Sequence, residues 1–191
     1  MPRATWFCVD IECSGPVPAL YDMVSIGVVV VGPSGEIAPL EDAYYAEIKP
    51  TAPRVDPGAM AVNGLDIEAL RRDGRDMADV LREIAGFVAE RTVRGSKPVF
   101  VGHNAPFDWS FVSYAYHAAG LTNPFGYKAL DTKALAMGAL GLHWLDTSKE
   151  ILEERLTLPA VEAGKVHRAD YDAWFQAHIL ARLLERMGLE S

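Results

Sequence analysis

Apolar positions along the chain fall into two rhythms. Residues 5–13 (TWFCVDIEC) are almost continuously apolar and read as a buried strand that ends at Ser14-Gly15. Residues 23–31 (MVSIGVVVV) are rich in β-branched residues and predict a central strand, followed by the turn residues Gly32-Pro33-Ser34-Gly35. Residues 41–49 alternate and predict a third, antiparallel strand, while 50–58 carries three prolines and reads as loop. The rhythm then lengthens. Met77, Val80, Leu81, Ile84, Ala85 and Val88 recur at helical spacing and predict a helix over 75–92. A short buried strand at 98–102 follows. Next comes a helix over 105–119, for which Asn104 is a cap and Pro106 suits the first turn. A last strand at 128–131, helical runs at 131–140 and 147–155, and a long helix at 168–187 complete the chain. Strands that first meander and then alternate with helices predict an α/β fold, a mixed five-stranded sheet with helices on both faces.

Composition narrows this picture. The chain has 191 residues, half of them hydrophobic, with no repeat, low-complexity tract or linker, so a single domain over 1–191 is expected. A net charge of −8 argues against a large basic surface for long duplexes and favours a small footprint on any nucleic acid. Cys8 and Cys13 would lie on opposite faces of the first strand and make a poor disulfide. Free thiols, no long apolar span and no signal-peptide pattern predict a soluble cytoplasmic protein.

Asp10 and Glu12 are two apart on a strand, so both point to one face. Paired carboxylates on so apolar a strand need a neutralising partner, and a divalent cation is the simplest. A solvated strand end is the plain alternative. Asp108 falls in the first turn of a predicted helix and Asp172 early in another, where the dipole alone favours a carboxylate. His167 stands in a loop just before the last helix, where an imidazole can act as a base. Singly, each residue has an ordinary structural explanation. Together they are the parts of a two-metal phosphodiester hydrolase with a histidine general base.

The three segments Asp10-Ile11-Glu12-Cys13-Ser14-Gly15, His103-Asn104-Ala105-Pro106-Phe107-Asp108 and His167-x4-Asp172 resemble the three motifs of the DEDDh 3′→5′ exonucleases, of the DnaQ-like group in the ribonuclease H-like superfamily. The tyrosine variant of that group would place Tyr four before the aspartate, where Arg168 stands. Asp131-Thr132 also resembles the family's pair after the fifth strand. The resemblance spans residues 5 to about 185. It implies a ribonuclease H-like fold and a 3′→5′ exonuclease acting on single-stranded nucleic acid ends or short oligonucleotides. Asp10, Glu12, Asp108 and Asp172 would hold two divalent cations, Mg²⁺ or Mn²⁺, with His167 as base. Ser14 and Gly15 would meet the terminal 3′-hydroxyl through their backbone, and the segment with Asn63 would pack on the terminal nucleotide. The products would be nucleoside 5′-monophosphates.

Some positions depart from the family pattern. Cys13-Ser14 replace a common pair of threonines, Asn63 replaces a frequent histidine, and Pro16 and Pro18 stiffen the loop after Gly15, which would narrow the substrate entrance. Phe107, with Met60 or Leu65, is a candidate to stack on a base, although packing under the sheet edge is the more ordinary explanation of Phe107. Trp109 and Trp174 read as core, and His103 as a residue that orients the turn before Asp108. Lys165 and Arg168 flank His167 and are placed to meet phosphate. A catalytically retired or partner-dependent module that binds nucleic acid or a polymerase would share the fold. Related enzymes include monomers and dimers, and nothing in the pattern compels or excludes a homodimer.

Overall fold

A computed structural model describes residues 4–162 and 164–189. Five strands, β1 (Ala4–Cys13), β2 (Met23–Val31), β3 (Tyr44–Glu47), β4 (Lys97–Gly102) and β5 (Ala129–Asp131), form one sheet in the order β3-β2-β1-β4-β5. β1 pairs antiparallel with β2 and parallel with β4, so the sheet is mixed. The meander β1-β2-β3 and the crossovers into β4 and β5 follow from the change of rhythm in the sequence. Seven helices flank the sheet: α1 (Pro57–Asn63), α2 (Ile67–Asp73), α3 (Met77–Arg91), α4 (Ala105–Ala118), α5 (Thr132–Leu140), α6 (Lys149–Leu156) and α7 (Ala169–Met187).

The alternation of β1 sorts the core. Phe7, Val9 and Ile11 point to one face and pack with Val80, Leu81 and Ile84 of α3 and Phe111, Val112 and Tyr116 of α4. Tyr116 donates its hydroxyl hydrogen to the Leu81 carbonyl at 2.9 Å and ties α4 to α3. Cys8 points to the other face with Val29 and Val101, against Ala173, Ala177 and Leu180 of α7. A third side of the core joins Ala136, Leu152 and Leu156 of α5 and α6 to Phe175, Ile179 and Leu183 of α7. Thus α7 is buried by the sheet on one side and by α5 and α6 on the other. Cys8 and Cys13 are both free and buried, on opposite faces as expected. Trp109 packs edge-on against Phe100, and Trp174 packs with the α7 face, so both indoles belong to the interior. Among the described residues no helix is long and apolar enough to cross a membrane.

Three local expectations are corrected. The 50–58 loop ends early, because Pro57 starts α1 with Asp56 as its cap, and α2 follows with Asp66 as its cap. These two seven-residue helices bury only Asn63 and Leu70, so they leave no apolar stripe to read. β3 is confined to Tyr44–Glu47, because Leu40–Asp42 turn as a 3-10 helix before it. Asn104 does start α4, but through a left-handed backbone (φ 73°) without a side-chain cap bond. The cap is Asp131, whose Oδ1 accepts from the Asn104 amide at 2.9 Å and the Ala105 amide at 3.2 Å. The same carboxylate accepts from Lys133 at 3.2 Å and Ala134 at 3.3 Å at the start of α5.

Candidate active site

The site forms where β1 ends between the starts of α4 and α7. Asp10 and Glu12 occupy the face of β1 that Cys8 begins, the α7 face. Asp10 stands opposite Gly27 in the β1-β2 register. A Cβ on Gly27 would lie 2.3 Å from the backbone of Ala169, so only glycine lets the start of α7 settle on the sheet here. That close approach brings Asp172, in the first turn of α7, to the strand carboxylates.

Asp108 reaches the same strand from the opposite side. It is buried in the first turn of α4, and its Oδ1 accepts from the Ile11 amide, between Asp10 and Glu12, at 3.2 Å. His103 leads into this turn. Its Nδ1 lies 2.9 Å from Thr132 Oγ1, which donates to the Gly102 carbonyl at 3.2 Å. Burial, with help from Lys149 and Lys133, pushes the His103 pKa down to about 3, so the ring is neutral and serves to orient the turn.

His167 is exposed and left-handed in backbone (φ 64°), and its amide donates to Asp172 Oδ2 at 2.7 Å. The strained backbone turns the chain into α7 while keeping the imidazole at the rim. Glu12, His167 and Asp172 can place one ligand atom each within 4.8 Å of one another. Burial first, then mutual repulsion, raises the carboxyl groups. Asp10 is pushed up to about 7 by burial and by Asp172, against the pull of Lys149. Glu12 is pushed up to about 8 by burial, Asp10 and Asp172. Asp108 is held well above the carboxylate range by burial and by Asp10. Such a cluster gains stability from any cation that enters it.

Two further residues belong to the site. Lys149, the first residue of α6, places its Nζ 2.6 Å from Asp172 Oδ1 and 3.7 Å from Asp10 Oδ1. Gln176, fully buried one turn beyond Asp172, donates from Nε2 to Asp10 Oδ1 at 2.5 Å. A polar residue facing inward at i+4 from Asp172 was the available clue for Gln176. Lys149 opens the sixth helix, and nothing in its own segment marks it.

The substrate-facing expectations divide. Phe107 is 36% exposed with its ring 5.3 Å from Phe111, so it is available at the surface beside Asp108 and does not pack under the sheet edge. Ser14 is buried, and its backbone is already used: its amide donates to the Asp22 carbonyl at 2.8 Å and its carbonyl accepts from Asp56 at 2.7 Å. Gly15 is needed for another reason, since a Cβ would lie 2.2 Å from the Tyr21 ring. Asn63 is buried and donates to the Cys13 carbonyl at 3.2 Å, while its Oδ1 accepts from Leu65 at 3.0 Å. It anchors α1 to the end of β1. Arg168 is likewise engaged elsewhere: its guanidinium holds Asp170 at 2.8 and 3.0 Å and lies over Tyr45. Lys165 pairs with Glu162 at 2.9 Å.

The chain is similar to known nucleases in sequence and in fold. Residues 5–184 match the 3′-5′ exoribonuclease Rv2179c-like domain. The chain is 36% identical over 182 residues to the 3′-5′ DNA exonuclease Cap18 of Escherichia coli, covering 94% of this chain and 91% of that protein. It is 28% identical over 185 residues to ribonuclease T of Klebsiella pneumoniae, covering 93% and 83%. The fold superposes on the nuclease domain of 3′hExo, a DEDDh family member bound to rAMP, with TM-score 0.77 at 15% identity, covering 95% of this chain and 92% of that one. Exonuclease I of E. coli in complex with a dT13 oligonucleotide superposes with TM-score 0.70 at 20% identity, covering 96% of this chain and 41% of that one. The mixed sheet with its flanking helices is therefore the ribonuclease H-like fold shared with these nucleases, and the chain belongs to the 3′-5′ exoribonuclease Rv2179c-like family.

Proposed function

We propose that Asp10, Glu12, Asp108 and Asp172 hold two divalent cations, Mg²⁺ or Mn²⁺, and that His167 is the general base for hydrolysis of the terminal phosphodiester of a single-stranded end or short oligonucleotide. The observation that carries this reading is the convergence of four carboxyl groups, three of them with pKa values raised by burial, beside an exposed imidazole. An all-oxygen donor set fits hard divalent ions. When bound, such ions neutralise the phosphate and acidify the attacking water.

The protein residues then have separate tasks. The rim position of His167, next to Glu12 and Asp172, suits an imidazole that accepts the water proton and passes it to solvent. Gln176 holds Asp10 in one orientation, as an outer hydrogen-bond partner does for a ligand. Phe107 offers an exposed ring on which the terminal base can stack. The net charge of −8 supports a footprint confined to the strand end. The two buried free thiols support a reducing, cytoplasmic setting.

A time course on matched 5′-labelled single-stranded RNA and DNA tests the reading. With Mg²⁺ or Mn²⁺ the expected result is a ladder shortening from the 3′ end, nucleoside 5′-monophosphate products, and no cutting of a circle. EDTA or Asp10→Asn should silence it. His167→Ala, at an exposed position, should keep the fold and lose about 10²–10⁴-fold in kcat. Full kcat in His167→Ala would reject the general base, and activity in EDTA would reject the ions.

A further inference from the structure

Lys149 stands apart from the other cations of the described residues. Among the described residues, the other ion pairs join side chains no more than eight positions apart in sequence, and most of them are exposed pairs within one helix. Lys149 instead reaches two elements remote in sequence, β1 through Asp10 and α7 through Asp172. Both partners are nearly buried, with side chains 15% and 8% exposed.

Its placement is built into the fold. Ser148 precedes it as the cap of α6, and Leu152 and Leu156 of α6 are buried against Phe175, Ile179 and Leu183 of α7. Before α6, the Thr147 carbonyl accepts from Lys133 Nζ at 3.3 Å, which fixes the approach from α5. The first turn of α6 is thus held against α7, and from there the Lys149 side chain, 27% exposed, reaches Asp172. The ammonium lies against carboxylate oxygens that a divalent ion would use, Asp172 Oδ1 at 2.6 Å and Asp10 Oδ1 at 3.7 Å, so its charge opposes a second cation there.

We infer that Lys149 is a tethered counter-ion of the catalytic carboxylates, which holds Asp10 and Asp172 together in the metal-free enzyme and must withdraw when a divalent ion binds. The inference rests on the metal reading above and adds a competitor to it. Two cations held by the same carboxylates repel each other, and the flexible four-carbon stem lets the ammonium retreat toward solvent. The internal cation stabilises the empty site and lowers its affinity for free ions. The metal-free enzyme is therefore assembled in advance, yet binds divalent ions more weakly than its four carboxyl groups alone would.

Binding of Mn²⁺ alone, followed by the electron paramagnetic resonance of the free ion at fixed pH and ionic strength, tests this without any turnover. Lys149→Met removes the charge and keeps the stem; it should bind Mn²⁺ about tenfold more tightly, a difference of ~1.4 kcal/mol. Lys149→Arg keeps the charge and should stay near the wild-type Kd. In EDTA the Met variant should melt below the wild type, and it should gain more in Tm on saturation with Mn²⁺. Lys149→Gln, a second neutral variant, repeats the test if the Met variant does not fold. A wild type that binds Mn²⁺ together with neutral variants that bind no more tightly would overturn the counter-ion alone. A wild type that binds no Mn²⁺ would overturn the metal reading and the counter-ion with it.

Discussion

Asp108 and Asp172 both sit in the first turn of a helix, and both face the end of β1, yet the two helix starts are made differently. The start of α4 is sealed. Asp108 is buried and held by the Ile11 amide, and Asp131 caps the turn before it while also capping α5. The start of α7 is open on its outer side. His167 and the described residues just before it are exposed, and Asp172 is held by the His167 amide and by Lys149. The sealed side fixes one carboxylate by backbone and packing. The open side fixes the other by groups that can move, and it carries the imidazole. A site that must admit a strand end and release a nucleotide needs one wall of each kind.

The largest effect on stability should come from the sealed wall. Asp131→Ala removes one carboxylate that caps two helix starts, so it should lose about 2 kcal/mol, near the upper end for a cap. Asp66→Ala, which uncaps only α2, should lose about 1 kcal/mol in the same thermal or urea unfolding experiment. Equal losses would show that the shared cap is not what stiffens the α4 start. The next effect is on pH dependence and involves the strand between the walls. In the metal-free protein burial raises Asp10 from 3.8 to about 7 and Glu12 from 4.5 to about 8. The folded protein then keeps protons that the unfolded chain has lost, so this contribution is full below those lower values and disappears as pH rises through 7 and 8. In EDTA the Tm should fall between pH 5 and 8.5, and saturating Mn²⁺ should flatten the fall. A metal-free Tm that rises across that window would contradict the burial of these carboxyls.

Much of this was readable in the chain, for physical reasons that can be named. Five strands and the long helices carry strong periodicity because each buries a whole face, as β1 does with Phe7, Val9 and Ile11. The strand carboxylates stood out because their neighbours are so apolar. What escaped depended on tertiary approach. The helices α1 and α2 bury one residue each, so no stripe betrays them. Asn63 gives its amide to a carbonyl fifty residues away, and its engagement could not be seen from its own segment. Arg168 is drawn off by Asp170 and Tyr45, although its position beside His167 pointed to phosphate. Gly27 looks like any glycine in a strand until α7 lies on it. Lys149 becomes part of the site only when α6 packs on α7.

The central claim is that the sealed and open walls hold one site between them, and a double-mutant cycle on kcat tests it most directly. Asp108→Asn, Asp172→Asn and the double variant would be compared under single-turnover conditions with saturating Mg²⁺ and a 5′-labelled single-stranded oligonucleotide. Groups that act as a unit are strongly non-additive, so each single variant should lose nearly all activity and the double variant should fall little further. A double variant whose loss equals the product of the two single losses would show two independent contributions, and the single shared site would be wrong.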